Sequence, residues 1–208
     1  MSLERLLEQG LIELKVVLPA DGPDKLLAYL SLLQKWNRVY NLTAIREQAR
    51  LVSHHLLDSL AVAPHIPGES VVDVGSGAGL PGIPLSIARP NWDVTLLESN
   101  HKKGAFLNQA IIELGLENVR VRIQRVDDWR PAKLADVAIS RAFSDLAGFV
   151  EAARRVLRPG GVFAAMKGIY PDEELSQLPP DVKLQSVIPL HIPGLRASRH
   201  LVILCTVQ

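Results

Sequence analysis

The densest chemical signal in the chain is Asp73-Val74-Gly75-Ser76-Gly77-Ala78-Gly79. Alternating glycines let a bulky ligand press against backbone where any Cβ would clash. The stretch follows a short apolar run and precedes a helical pattern, so the free N–H groups of a helix N-terminus lie just beyond it. A tight turn closing a strand onto a helix is the plain alternative. Gly77-Ala78-Gly79-Leu80-Pro81-Gly82 also matches the dinucleotide fingerprint G-x-G-x-x-G by letter. That register starts late, because the first glycine after the apolar run is Gly75. Asp73 also stands where dinucleotide folds carry an apolar residue.

A carboxylate at Asp73 suits the cationic methionine end of S-adenosylmethionine, or it orders the loop. Glu98, 23 residues after Gly75, ends the next apolar run and can accept both hydroxyls of a ribose. Alone it would read as an exposed strand-end residue; paired with the glycine loop it reads as a cofactor contact. Arg125-Val126-Asp127-Asp128 follows a third run. A carboxylate there can accept from the adenine amino group, with a neighbouring N–H donating to the ring. Asp127 is preferred, with Asp128 as competitor and a helix N-cap as the alternative for both.

These residues need a scaffold. From Ser70 onward, short apolar runs alternate with helical patterns. Strands are expected at Val71–Val74, Val94–Glu98, Val119–Ile123, Val137–Ser140 and Val162–Lys167, and helices at Ile83–Ala88, Lys102–Leu114 and Leu146–Leu157. Such alternation implies right-handed crossovers and a parallel sheet covered on both faces. Lys183–Leu190 and Leu201–Val207, with no helix between them, read as a terminal antiparallel hairpin. Residues 1–66 read as a helical extension. Leu3, Leu6, Leu7, Leu11 and Leu14 form one stripe; Leu26, Leu30, Leu33, Trp36 and Tyr40 form a second. A third helix carries Val52, Leu56, Leu60 and Ala63 and ends near Pro64. Thr43 is a possible N-cap, Asn41 orders a turn, and Trp36 and Tyr40 are expected in the core. Residues 67–208 are then expected to form an α/β, Rossmann-like domain of the class I S-adenosylmethionine-dependent methyltransferase type. Its sheet is seven-stranded and mostly parallel.

Composition agrees. At 48% hydrophobic but 5% aromatic over 208 residues, the core must be built of Leu, Val, Ile and Ala. No apolar run reaches the roughly 18 residues of a membrane helix. Met1-Ser2-Leu3-Glu4-Arg5 does not open a secretory signal. Cys205, the single cysteine, cannot pair internally and reads as buried and inert, so a cytoplasmic enzyme is expected. The net charge of +1 does not mark a nucleic-acid binder. Basic residues nevertheless gather at Lys35–Arg50, at Val119–Lys133 and beyond Asp181, where no acid follows. Solvated surface explains such clusters equally well.

The chain resembles the RsmG family, also called glucose-inhibited division protein B. The resemblance rests on Trp36 through Ile45, His55-Leu56-Leu57-Asp58-Ser59-Leu60, Asp73 through Pro84, and Leu97-Glu98-Ser99-Asn100 with Lys102-Lys103. It continues in Ser140-Arg141-Ala142-Phe143, Lys167-Gly168 and Arg199 through Leu204. It implies methyl transfer to N7 of a guanine in 16S rRNA, at position 527 near the decoding site. It also implies cofactor contacts at Gly75, Leu80, Val126, Asp127 and Arg141, with Glu98 at the ribose. With Asp73, Gly77 and Gly79 from the motif, these complete the expected cofactor set.

Guanine N7 has an in-plane lone pair and no proton, so no general base is expected. The enzyme must align N7, methyl and sulfur and accommodate the relocated charge. Arg141 and Lys167 are possible orienting groups. Arg141 suits the cofactor carboxylate, an RNA phosphate or the guanine O6, or is a surface residue. Lys167 meets phosphate or solvates a strand end. Phe143 stacks on the purine or fills the core. RNA contacts are expected at Arg38, Arg46, Lys102, Lys103, Lys167, Arg196 and Arg199, with 16S rRNA or the small subunit as partner. His54 and His55 have no third ligand at metal spacing, so no metal is expected. His55 and Asp58 serve RNA, the cleft or internal hydrogen bonds. A monomer is the default. The alternatives are a methyltransferase of this fold acting on another RNA or a small molecule, and a dinucleotide oxidoreductase.

Overall fold

A computed structural model describes residues 2–141 and 143–207 of the chain; Ala142, within one of the motifs above, lies outside them. Among the described residues, seven strands form one sheet: β1 (Ser70–Val74), β2 (Asp93–Glu98), β3 (Val119–Ile123), β4 (Ala135–Ser140), β5 (Leu157–Lys167), β6 (Val182–Pro189) and β7 (His200–Thr206). The order is β3-β2-β1-β4-β5-β7-β6. The first five strands pair in parallel, whereas β7 runs antiparallel to both β5 and β6. The terminal hairpin therefore occupies the edge that a second nucleotide-binding half would need. The β1-to-β4 step reverses the direction of winding, and the cleft opens at the carboxyl ends beside it.

The helices are α1 (Leu3–Leu14), α2 (Gly22–Tyr40), α3 (Gln48–Leu51), α4 (Asp58–Leu60), α5 (Gly82–Ala88), α6 (His101–Leu114), α7 (Leu146–Ala153) and α8 (Asp172–Ser176). Sequence-local caps set their ends. Asn100 accepts from the N–H groups of Lys102 and Lys103 at the start of α6, and Gly115 closes it in the left-handed region. Asn41 ends α2 at φ 50°, the turn-ordering role expected of it. Leu7, Leu26, Leu33, Leu56 and Leu60 join Ile83, Leu96 and Phe106 in one core, so the N-terminal helices pack directly on the sheet.

Several local expectations need correction. The third helix is not uniform: α3 passes into a π-helix, Val52–Leu57, and then into α4. Periodicity of 3.6 cannot reveal a wider turn. Thr43 caps no helix. Its hydroxyl accepts from Ile45 N–H at 3.1 Å and meets His55 Nε2 at 2.8 Å, while α3 starts later, after Glu47. Tyr40 is 41% exposed, because α2 ends beyond the surface it covers, and Trp36 is half-buried against Phe106. The helix from Leu146 stops at Ala153, and β5 begins at Leu157. An irregular register between Ala135 and Val137, with Gly160 at φ 76°, extends that pairing. Cys205 is only half-buried, near the end of β7. Helix α8 was not expected from the sequence.

Candidate active site

The carboxyl ends of β1 and β2 build the loop that the sequence singles out. Gly75 and Ser76 both donate to the Leu97 carbonyl, at 2.9 and 3.1 Å, which ties the loop to the neighbouring strand. Gly75, Gly77 and Gly79 take φ values of 73°, 59° and 86°, where a side chain is strained. Their surroundings differ. A Cβ on Gly75 would meet nothing within 4 Å, and one on Gly77 only the Gly75 carbonyl at 3.9 Å. Both therefore face open space that a ligand can use. A Cβ on Gly79 would lie 2.5 Å from Ile83 Cδ1 and 3.0 Å from Leu107 Cδ2. Gly79, expected at the cofactor, is required by packing. Leu80 is likewise buried in the core.

Glu98, 6% exposed, holds the loop open. Its Oε2 accepts from Gly77 N–H and its Oε1 from Asn100 N–H, both at 2.8 Å. Each oxygen retains acceptor capacity. Asp73 is fully buried, and its Oδ2 accepts from Gly82 N–H at 3.0 Å, at the start of α5. Of its two expected roles, this is loop ordering. Burial pushes its carboxyl up to about 7, opposed by the Gly82 N–H and the nearby Arg141 charge. Asp73 Oδ1 is buried with no partner among the described residues.

Sequence reading missed Tyr29. Its hydroxyl donates to the Ala78 carbonyl at 2.6 Å, from α2 into the glycine loop. Burial drives the Tyr29 phenol well above its ordinary range. The signal was present, since Tyr29 lies on the apolar stripe between Leu26 and Leu33, and a buried phenol needs an acceptor.

Beside Gly75 lies a cleft of about 170 Å³, lined by Val74, Leu97, Ser99, Val126, Asp127 and Phe143 among others. Asp127 lines it and Asp128 does not; Asp128 faces a separate trough under β1–β3. No helix follows either residue before β4, so neither is a helix N-cap. Phe143 packs on Phe149 at 5.2 Å between centroids, as the core role requires, and also lines the cleft.

Charged side chains gather after β4, at the end of β5 and before β7. Arg141 donates through Nη1 to the His54 carbonyl at 3.2 Å and to Asp58 Oδ2 at 3.3 Å. Arg199, expected at RNA, donates through Nε to Asp58 Oδ1 at 2.9 Å. Lys167, also expected at RNA, pairs with Glu174 of α8 at 2.7 Å and is 11% exposed. The partners of Arg141 and Arg199 lie far away in sequence, which local charge patterns could not show, whereas Glu174 is close to Lys167 in sequence but sits on a helix that was not expected. His55 is structural: Nδ1 meets the His54 carbonyl at 3.0 Å, which makes it the donor, so Nε2 accepts from the Thr43 hydroxyl. Burial, reinforced by the Arg141 charge, lowers its pKa to about 4, so the ring is neutral. Arg38 and Arg46 come together beside Asn37 in one shallow groove. Lys102 is exposed on the first turn of α6, with Lys103 half-buried beside it, and Arg196 is exposed in the hairpin loop. Among the described residues, no group of three His, Cys, Asp or Glu side chains could hold a metal ion. No helix among them is long and apolar enough to cross a membrane.

Comparison with known proteins gives consistent findings. A family model described as GidB, rRNA small subunit methyltransferase G, matches residues 23–202. Ribosomal RNA small subunit methyltransferase G of Laribacter hongkongensis is 54% identical over 202 residues, covering 97% of this chain and 98% of its own length. The protein of the same name from Neisseria meningitidis serogroup B is 50% identical over 208 residues, covering 98% and 99%. A solved structure of a SAM-dependent methyltransferase from Aquifex aeolicus superposes with a TM-score of 0.61. It is 20% identical, covering 79% of this chain and 96% of that one. At that identity the likeness concerns the fold, which is that of the class I methyltransferases.

Proposed function

The chain belongs to the GidB family, rRNA small subunit methyltransferase G, and on that premise we propose that it transfers a methyl group from S-adenosylmethionine to N7 of a guanine in 16S rRNA. By resemblance that guanine is position 527. The observation that carries the proposal is the open cradle at Gly75 and Gly77, with Glu98 held beside it by backbone N–H bonds.

The residues present fit the methyl donor. Gly75 and Gly77 leave room where a Cβ would stand, and Glu98 has acceptor capacity left for two ribose hydroxyls. Val126 and Asp127 line the cleft that would take the adenine, with Asp127 accepting from its amino group. Asp73 Oδ1 is a buried acceptor that a cationic ammonium group would satisfy. Arg141 would meet the carboxylate of the same ligand, and Leu80 would contribute through the backbone of the loop. When bound, S-adenosylmethionine supplies an electrophilic methyl group on a positively charged sulfur. The chain then has to align an acceptor and shield the reaction from water.

N7 suits the rim. Methyltransferases of exocyclic amines often carry an Asn/Asp-Pro-Pro-aromatic motif after the fourth strand; this chain has Ser140-Arg141-Ala142-Phe143. His55 is buried and bonded at both ring nitrogens, so it offers no base. Arg141 and Lys167 are orienting groups at most. Phosphate contacts fall to Arg38, Arg46, Lys102, Lys103, Arg196 and Arg199, with residues 1–66 contributing the first two to a methyltransferase domain of residues 67–208. The protein would act on small subunits or their precursors in the cytoplasm, as a monomer.

The test is incubation with labelled methyl donor and small-subunit particles that lack the modification, followed by mapping of the product. Label in 7-methylguanosine at one site supports the proposal; label on an exocyclic amine or a ribose overturns it.

A further inference from the structure

Asp58 is 1% exposed, yet its carboxylate meets two guanidinium groups. Oδ1 accepts from Arg199 Nε at 2.9 Å and Oδ2 from Arg141 Nη1 at 3.3 Å. The three residues come from α4, the end of β4 and the loop before β7, so the contact joins the N-terminal helices to two parts of the sheet rim. Asp58 is the first residue beyond the π-helix Val52–Leu57. Such wide turns shift the facing of the side chains that follow them and recur at functional sites.

A carboxylate is tolerated at this depth only where charged partners replace its water. Two guanidiniums against one carboxylate leave a net positive charge at the rim. Each guanidinium carries five N–H donors in a fixed fork. The bonds to Asp58, the His54 carbonyl and the Ser198 carbonyl use only part of that capacity. Arg141 is 28% exposed and Arg199 23% on their side chains, so both remain partly open to solvent at the rim.

We propose that Asp58 is a positioning residue for methyl transfer. It braces Arg141 toward the carboxylate of the methyl donor and Arg199 toward an RNA phosphate. The proposal rests on the methyltransferase reading above. Without the carboxylate between them, the two cations repel and turn toward solvent, and each ligand loses an oriented donor.

The test uses the full chain and two probes, S-adenosylhomocysteine by calorimetry and a 16S rRNA fragment across a salt series. Asp58→Asn is compared with the parent protein and within Arg141→Ala and Arg199→Ala backgrounds. The expected loss is about tenfold in each affinity. The loss for S-adenosylhomocysteine should vanish in the Arg141→Ala background, and the loss for RNA in the Arg199→Ala background. Asp58→Glu should recover part of both. A residue that merely stabilises the fold would lower the melting temperature and leave both affinities of the folded protein unmoved. Affinities within about twofold of the parent, or losses undiminished in the two backgrounds, would overturn the proposal. If Asp58→Asn does not fold, Asp58→Glu decides by the same criteria, with an expected partial loss that the backgrounds abolish. Methylation of small-subunit particles by the parent protein is measured alongside. Its failure would strike the functional reading, while the affinity measurements would still decide the role of Asp58.

Discussion

In the glycine-loop half of the cleft, functional groups meet backbone. Glu98 takes N–H bonds from Gly77 and Asn100, Asp73 takes one from Gly82, and Tyr29 donates to the Ala78 carbonyl. In the rim half the charged groups pair with other side chains, in addition to some carbonyls, or are exposed. Arg141 and Arg199 share Asp58, Lys167 pairs with Glu174, and Arg38, Arg46 and Arg196 are exposed. Backbone bonds allow only a few residue types at fixed spacing, and they preorganise a small, invariant ligand. Long charged side chains suit a large, flexible polyanion, whose phosphates can be met from many positions.

The sharpest way to break this comparison lies within the loop itself. Gly77→Val should abolish S-adenosylhomocysteine binding, by about a hundredfold or more, because it fills the cradle and strains a backbone at φ 59°. Gly79→Ala should instead lower the melting temperature, since its Cβ meets Ile83 and Leu107. Calorimetry and thermal unfolding on both variants separate the two kinds of glycine. If Gly77→Val binds tightly, the loop is only a turn.

Glu98→Ala comes next. It removes the acceptor for the ribose and for Gly77 N–H, and should weaken S-adenosylhomocysteine by about 2–4 kcal/mol. Unchanged affinity in a folded variant would detach Glu98 from the cofactor.

The third effect compares the buried Asp73 with the buried His55. Between about pH 4 and 7 the folded state keeps a proton on Asp73 that the unfolded chain has released, so this group lowers stability as pH rises. Between about pH 4 and 6.5 the unfolded chain protonates His55 while the folded state does not, so this group raises stability as pH rises. The two slopes oppose. Melting temperature against pH should therefore tilt upward in Asp73→Asn and downward in His55→Gln, relative to the parent. Parallel curves would show that these burials do not set the titration.

The smallest effect belongs to the rim. Arg38→Ala with Arg46→Ala should lower the salt slope of RNA binding by roughly one to two, at ~0.7 per single-stranded phosphate. Cofactor affinity should barely move. An unchanged slope would remove this groove from the RNA face.

How much could be read from the sequence follows the same division. The glycine loop of Gly75 and Gly77 and the strand-end positions of Asp73 and Glu98 were legible because positive φ and the ends of apolar runs leave fixed spacings in the sequence. The strand set was legible from apolar runs bounded by turns, and β3 ends where expected. The π-helix, the early start of β5 and α8 were not, since none alters the apolar period enough to show. The packing role of Gly79 depends on Ile83 and Leu107, the pairing of Arg199 on Asp58, which only the fold brings close, and that of Lys167 on the unexpected helix α8. Tyr29 lay in view on its stripe, but its acceptor, the Ala78 carbonyl, is a tertiary partner.

The central chemical claim is that the rim orients a nucleophile that needs no deprotonation. Single-turnover methylation of unmodified small-subunit particles, with enzyme and methyl donor saturating, tests it most directly. The account predicts a rate nearly flat from about pH 6 to 8.5, because guanine N7 carries no proton to remove. A log-linear rise of about unit slope, abolished by a single His or Asp substitution, would contradict it and point to an amine as the methyl acceptor.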